Sequence, residues 1–350
     1  MLLMMLVMFT ATSPLVKHKR FEIFFYSHQI CWIFYILLFF HSYGCFVKSS
    51  IDGTCKGYNS NNFTIPVYLI AVLDRIVRIW RSREKTFVSE VILHPGNVIE
   101  MRFEKLTMNY NPGQYLYLNI PEISKFQWHP YTITSAPHEG FISVHVKVVG
   151  DWTKSLSDIV KNSIPIEKNV FRRALVDGPY GAPVQDLFDY RVSLLISAGI
   201  GSTPASGILK SVYHAYKRRA PMMLKTLYFI WICRDLQDLY WFHKELQNIE
   251  NCVSIKCSIY ITGNIAISDI HNIILNERFE SPVAELGHCI FYGRPKWQII
   301  FNAIKNTTMP TRTKVGVFFC GPSSLKSEIE NQIRVCSTYQ TEFQLRCEQF

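Results

Sequence analysis

Apolar residues are spaced in three different ways along this chain. Up to about residue 85 they come in long runs. Residues 1–9 are almost wholly apolar, Ile23–Val47 holds no charge beyond what two histidines could carry, and Phe63–Trp80 is apolar until Asp74-Arg75 interrupts it. A helix needs about 20 apolar residues to cross a bilayer. Ile23–Val47 therefore reads as a full span, Phe63–Trp80 as a second, and the first run as the end of a spanning helix whose beginning is absent. From residue 86 the stretches are short and strand-like: Thr86–Leu93, Val98–Leu106, Gln114–Ile120, His129–Ala136 and Phe141–Val149. His94-Pro-Gly-Asn97, Asn111-Pro-Gly113 and Pro137-His-Glu-Gly140 separate them. Regular short strands with such turns predict a small antiparallel barrel, capped by a helix over Thr153–Val160. From residue 191 apolar strands Val192–Ser197, Leu227–Ile232, Ile255–Ile261 and Val315–Cys320 are interleaved with helical stretches that run to Lys217 and lie near 239–250, 297–305 and 323–334. That alternation predicts a parallel, doubly wound sheet. The chain thus divides at 1–85, 86–190 and 191–350.

Composition supports the membrane reading: 48% apolar and 14% aromatic residues are high values for a soluble protein. The first run carries its charges after the apolar residues, the reverse of a signal peptide. Lys17-His-Lys-Arg20 and Arg78, Arg81, Arg83 and Lys85 place both flanks on the cytosolic side, leaving residues 45–62 outside. Asn62-Phe-Thr64 is a glycosylation sequon there, and Cys45 with Cys55 could close a disulfide. Asn306-Thr-Thr308 has the same spelling but falls on the cytosolic side. The net charge of +10 suits basic clusters beside a membrane or anionic ligands. No zinc-finger spacing or long basic run points to nucleic acid. Ten cysteines form no CxxC pair, and most sit in predicted strands as reduced thiols.

Candidate chemistry falls in each region. A histidine inside an apolar span is a functional candidate, and imidazole is a usual axial ligand of haem iron. Thirteen residues separate His28 from His41, roughly 20 Å along a helix but well off a common face. Haem ligation and a place at headgroup level are the two readings. In His129-Pro-Tyr-Thr-Ile-Thr-Ser-Ala-Pro137 a proline near each end removes a ladder donor. Thr132, Thr134 and Ser135 offer hydroxyls to a polar ligand with a flat ring, or simply complete an ordinary strand. Val144, Val146 and Val148 on one face leave His145 and Lys147 on the other, to meet a diphosphate or solvent. Ala198-Gly-Ile-Gly-Ser-Thr-Pro204, between a strand and a helix, forms an anion cradle, although it is not GxGxxG. Arg234 and Arg294 at strand ends fit a 2′-phosphate, which guanidinium groups grip in a fixed fork. Cys320-Gly321-Pro322 ends the last strand with a thiol and a tight turn; the alternative for Cys320 is a buried small hydrophobe.

In order along the chain stand His129-Pro-Tyr-Thr132, Val149-Gly-Asp-Trp-Thr153, Asp177-Gly-Pro-Tyr-Gly181, Gly199-Ile-Gly201 with Thr203-Pro204, Cys233-Arg-Asp235, Tyr292-Gly-Arg-Pro295, Cys320-Gly-Pro322 and Phe350. From about residue 15 onward this set resembles the NADPH oxidase family of the ferric reductase superfamily. The resemblance implies a partial transmembrane α-helical region joined to a ferredoxin-reductase-like unit, which pairs an antiparallel β-barrel FAD domain with an α/β doubly wound NADPH-binding domain. It implies an integral membrane oxidase, in the plasma membrane or an endomembrane, with its dehydrogenase part cytosolic. Electrons would pass from NADPH through FAD and haem b to oxygen, giving superoxide or hydrogen peroxide. His129, Pro130, Tyr131, Thr132, Ile133, Thr134 and Ser135 would hold FAD, with His145 and Lys147 near its phosphates. Gly199, Gly201, Thr203 and Pro204 would contact NADPH, and Arg234 with Arg294 would read its 2′-phosphate. Cys320, followed by Gly321 and Pro322, would lie beside the nicotinamide, Phe350 would cover the flavin, and His28 and His41 would ligate haem. The partners it suggests, besides the bilayer, are cytosolic activators and a small membrane subunit.

Several features depart from the pattern. Lys147 stands where arginine is often found, keeping the charge but losing the fork, and Ser202 replaces an aliphatic residue. The chain begins within what would be the fourth of six membrane helices, as an N-terminally truncated form would, and so supplies one axial ligand per haem. Two rivals share much of this wiring: a ferric or metal reductase, and a truncated non-oxidase flavoprotein subunit.

Overall fold

The computed structural model describes residues 2–13, 21–43, 53, 61–84, 86–105, 108–162, 174–250, 252–263, 289–308 and 312–348. The expectations placed on Phe350, on Cys45 with Cys55, on the basic cluster 17–20 and on Lys85 fall outside these residues. The chain divides into two compact units, residues 1–80 and 81–350.

The first unit holds α1 (Leu2–Thr12), α2 (Phe21–Tyr43) and most of α3 (Asn61–Ser82). The Ser27 hydroxyl of α2 donates to Thr10 Oγ1 of α1 at 2.8 Å. Ile33 and Phe40 are exposed on one side of α2 and Tyr35 on the opposite side, so its apolar surface is not confined to one stripe. On α3, Asp74 pairs with Arg78 at 2.9 Å, and Arg75 lies over the Trp32 ring of α2. The sequon residue Asn62 falls in the first turn of α3. Among the described residues no helix is long and apolar enough to cross a membrane.

Among the described residues the second unit contains three sheets. Strands β1 (Phe87–His94), β2 (Val98–Glu104), β3 (Tyr115–Asn119), β4 (His129–Thr132), β5 (Ile142–Lys147) and β6 (Leu175–Tyr180) form two antiparallel sheets, β1-β2-β5 and β4-β3-β6, with helix α4 (Asp151–Asn162) after β5. Between them lies an apolar core that includes Met101, Phe103, Leu116, Leu118, Ile133 and Val144. His129–Ala136 is not one strand. β4 pairs with β3 only as far as Thr132, and then Ile133 bridges Val144 of β5 while the Thr134 amide donates to the Ser143 carbonyl at 2.8 Å. The segment crosses between sheets because Ile133 is fully buried in the barrel core and the Thr134 and Ser135 hydroxyls find partners around β5.

The third sheet is parallel throughout, in the order β10-β9-β8-β7-β11-β12. Its strands are β7 (Val192–Ala198), β8 (Thr226–Cys233), β9 (Ile255–Ile261), β10 (Ile290–Tyr292), β11 (Thr313–Cys320) and β12 (Thr341–Glu348). Helices α5 (Thr203–Lys217), α6 (His243–Glu250), α7 (Trp297–Thr308) and α8 (Ser323–Cys336) accompany them. Neighbouring residues of one strand serve opposite cores: Leu195 packs with Ile208 and Trp231, whereas Leu194 and Ile196 pack with Phe301 and Ile329. Burial on both faces is why these strands read as unbroken apolar runs.

The barrel and the parallel-sheet domain meet where α5 lies on the crossing segment. Ser206 Oγ donates to the Thr134 carbonyl at 2.9 Å. A Cβ on Gly207 would sit 3.0 Å from the Ser135 carbonyl oxygen and 3.3 Å from that of Ile133. Only glycine allows this approach without displacing backbone. Gly207→Val should therefore cost about 1–3 kcal/mol through overpacking, and Gly207→Ala less, because alanine regains about 1 kcal/mol of helix propensity. The midpoint of urea unfolding, at unchanged slope, measures both.

Candidate functional site

The motif residues of β4 gather with the first turn of α4. His129 and Trp152 rings lie 4.4 Å apart, and Tyr131 is 6.3 Å from Trp152. Burial lowers the His129 pKa and raises that of Tyr131, so both are neutral at pH 7. His129 Nε2, Thr132 Oγ1 and Trp152 Nε1 are buried with no hydrogen-bond partner among the described residues. Thr134 and Ser135 differ. Thr134 Oγ1 lies 2.8 Å from both Ser143 Oγ and His145 Nδ1, and Ser135 Oγ accepts from the Ser143 amide and bonds Tyr110. With Ile133 they are fully buried scaffold, while Pro130 is exposed. Because the chain leaves its sheet after Thr132, the hydroxyls do not share one open face.

His145 and Lys147 part company. His145 is buried beneath Trp241, with ring centroids 4.7 Å apart, and burial holds its pKa down at about 3. Lys147 instead pairs with Asp238 at 2.8 Å, reaching across to the turn that follows β8. It lines a cavity of about 700 Å³ at the carboxyl ends of the parallel strands, together with Gly199, Arg234, Arg294 and Pro322. This is where ligands bind in open α/β sheets. Neither Arg234 nor Arg294 is ion-paired among the described residues, and both are exposed.

Behind the cavity wall the glycine turn is tight. Gly199 has φ +54°, in the left-handed region, and Ser202 donates to its carbonyl at 2.9 Å, which accounts for serine at that position. Gly201, Thr203 and Pro204 are buried and do not line the cavity. A Cβ on Gly201 would fall 2.8 Å from the Cys320 carbonyl oxygen and 2.9 Å from its sulfur. Cys320 is buried, which pushes its thiol pKa up. It stands in register between Ser197 of β7 and Glu348 of β12, so three side chains form a row on one face. Ser197 Oγ and Glu348 Oε2 are buried with no hydrogen-bond partner among the described residues. Burial raises the Glu348 pKa to about 7.

Sequence reasoning missed Ser197 and Glu348 as site residues. The available signal was the alternation Phe343, Leu345, Cys347 against Glu342, Gln344, Arg346, Glu348, a period of two marking β12. Trp152 stood in a quoted motif without a role. In α2, the His28 imidazole is exposed and packs on Phe24 at 5.3 Å. His41 lies in the same helix, but its side chain is outside the described residues.

Comparison with known proteins agrees with this architecture. An FAD-binding domain model matches residues 83–184, and a ferric reductase NAD binding domain model matches residues 190–334. One superoxide-generating NADPH oxidase heavy chain of Dictyostelium discoideum is 34% identical over 97% of this chain and 50% of its own length. A second heavy chain from that organism is 31% identical over 93% and 64%, and human NADPH oxidase 3 is 30% identical over 96% and 65%. The chain thus spans about half to two thirds of the length of these relatives. A ferredoxin NADP+ reductase from Neisseria gonorrhoeae, crystallised with FAD and NADP, shares the fold at a TM-score of 0.51 and 14% identity, covering 74% of this chain and 97% of that one.

A buried carboxyl that holds its proton in the folded state and releases it on unfolding makes stability fall as pH rises. For Glu348 that decline runs from the ordinary value of 4.5 to about 7. Glu348→Gln should flatten it. His145, neutral when folded, works in the opposite direction over much of this range. The difference between wild-type and variant denaturation midpoints across the window isolates the carboxyl.

Proposed function

We propose that this chain, a member of the NADPH oxidase family, is the NADPH- and flavin-binding part of a membrane enzyme that passes electrons through haem to oxygen. One observation carries the reading: the turn bounding the nucleotide cavity is in contact, through Gly201, with Cys320, and its helix α5 is bonded through Ser206 to the crossing segment of the barrel. Two ligand regions are thereby held at one seam.

FAD fits the residues at β4. His129, Tyr131 and Trp152 supply rings for stacking, and His129 Nε2, Thr132 Oγ1 and Trp152 Nε1, without partners among the described residues, are polar atoms a flavin could engage. When bound, FAD accepts a hydride and can release its two electrons singly. NADPH enters along the 700 Å³ cavity. The backbone of the Gly199 turn receives its diphosphate, and Arg234 with Arg294 fork onto the 2′-phosphate. Cys320 keeps its proton and presents an uncharged thiol next to the nicotinamide, excluding water. Glu348, neutral up to about pH 7, can hold or give a proton at its free oxygen.

The membrane part of the proposal rests on α2. A helix apolar all round belongs in a hydrophobic surrounding, and the basic residues before α2 and at the end of α3 put the dehydrogenase part on the cytosolic side. The exposed His28 imidazole has no hydrogen-bond partner among the described residues, which suits an axial ligand, and His41 lies on the same helix. Superoxide or peroxide is the product, and the partners this reading carries are cytosolic activators and a small membrane subunit.

Anaerobic NADPH should bleach the flavin absorbance of the FAD-loaded chain; flavin that stays oxidised would sink the proposal. Losing one charged hydrogen-bond donor costs about 1.5–3 kcal/mol. Arg234→Ala or Arg294→Ala should thus raise the KM for NADPH roughly 10- to 100-fold and leave NADH unchanged. Equal loss with both nucleotides refutes the 2′-phosphate role. Haem bound by the purified chain should show a Soret band that His28→Leu diminishes.

A further inference from the structure

We propose that His94, Glu100 and His145 form a binding site for a divalent transition cation of the zinc class. The three side chains come from adjacent strands of one sheet. Glu100 of β2 is the direct cross-strand partner of His145 on β5, and it also faces Ile92 of β1. His94, two residues beyond Ile92, therefore lies on that same face. One nitrogen from each imidazole and one carboxylate oxygen all fall within 4.8 Å of one another. His94 Nε2 is 2.9 Å and His145 Nε2 is 3.7 Å from Glu100 Oε2. Bonds of about 2.0–2.2 Å in a tetrahedral site place ligand atoms roughly 3.4 Å apart. The two separations to Glu100 bracket that value.

His94 Nε2 and Glu100 Oε2 are hydrogen-bonded to each other, a contact that a bound cation would replace, while the second nitrogen of His145 and the second oxygen of Glu100 are held from outside the cluster. His145 Nδ1 is held by Thr134 Oγ1 at 2.8 Å, which fixes the ring and aims Nε2 into the cluster. Such a partner on the second nitrogen is the usual support of a metal-bound imidazole. Nε2 itself is buried with no hydrogen-bond partner among the described residues, and the side chain is 3% exposed. Arg102 donates to the other carboxylate oxygen, Oε1, at 2.7 Å, and also pairs with Glu90, which offsets its charge. The cluster opens on a cavity of about 620 Å³ between the barrel and α5, lined also by Trp241, Lys210 and His214. Three protein ligands with one side open leave a fourth position for water. Zinc has no redox chemistry, so the ion acts as a clamp. It ties β1, β2 and β5 together and, through Thr134, reaches the segment bonded to α5. This site stands independently of the electron-transfer reading.

The test uses the purified full chain after chelator treatment. Equilibrium dialysis against Zn2+ should show one tight equivalent, and Co2+ should give the visible ligand-field bands of a nitrogen–oxygen tetrahedral site. His94→Ala and Glu100→Gln should each weaken that equivalent beyond the roughly 10- to 100-fold that losing an outer-shell partner costs. His214→Ala, on the same cavity wall, should retain it. Unchanged circular dichroism shows that the variants fold, and His94→Ala decides the matter where Glu100→Gln does not. The proposal is overturned by absence of a tight equivalent in the wild type, by binding that survives His94→Ala, or by Co2+ bands of thiolate charge-transfer type, which would place the ion on cysteines.

Discussion

The close approach of α5 to the segment Ile133–Ser135 is the constraint on which the rest of the second unit depends. Two backbones meet there with room for a hydrogen atom and no more at Gly207, and Ser206 adds a buried hydrogen bond to the Thr134 carbonyl. Helix α5 follows directly from β7 and the glycine turn, so fixing its first turns also fixes the carboxyl end of the parallel sheet. The Gly201–Cys320 contact repeats the device one strand further on. Interiors this densely packed transmit displacement instead of absorbing it. A hydride can move only between groups held in near contact. A chain that is to bring nicotinamide against flavin needs a seam of this kind, with small residues where the backbones meet.

The seam has two sides, and β5 serves both. His145 and Lys147 lie on one face of the strand, as their spacing of two requires. The turn after β8 packs on that face and divides it. Trp241 covers His145, while Asp238 draws Lys147 into the cavity at the carboxyl ends of the parallel strands. One alternating strand thus contributes a neutral, desolvated imidazole to one cavity and a paired ammonium to the other. The covering residues, not the strand itself, decide which environment each side chain meets.

Much of this was legible in the chain. Strands buried on both faces spell themselves as apolar runs, so β7, β8, β9 and β11 could be read directly. The turn around Gly199–Gly201 and the thiol of Cys320 were recognisable because close approach leaves glycine few substitutes. Three things were not legible. The period of two along His129–Ala136 says which residues alternate but not which sheet they alternate against, so the crossing after Thr132 was hidden. β6 was obscured by Asp177-Gly-Pro, which breaks the alternation within a short strand. The edge strand β12 carries a half-exposed pattern that, in a single sequence, looks like any polar terminus, and Glu348 went with it.

Buried polar atoms without a partner are one pointer to where ligands sit. Native interiors pair nearly all such atoms, and those left over call for a cause. Around the crossing segment Thr134, Ser135, Ser143 and Ser206 bond one another or nearby backbone. A few residues away His129, Thr132 and Trp152 keep polar atoms with no partner among the described residues, and Ser197 with Glu348 does so on either side of Cys320. Leaving so many unpaired would cost several kcal/mol, a burden that a marginally stable fold cannot carry without return. Under the proposed function, a flavin and a nicotinamide would supply that pairing.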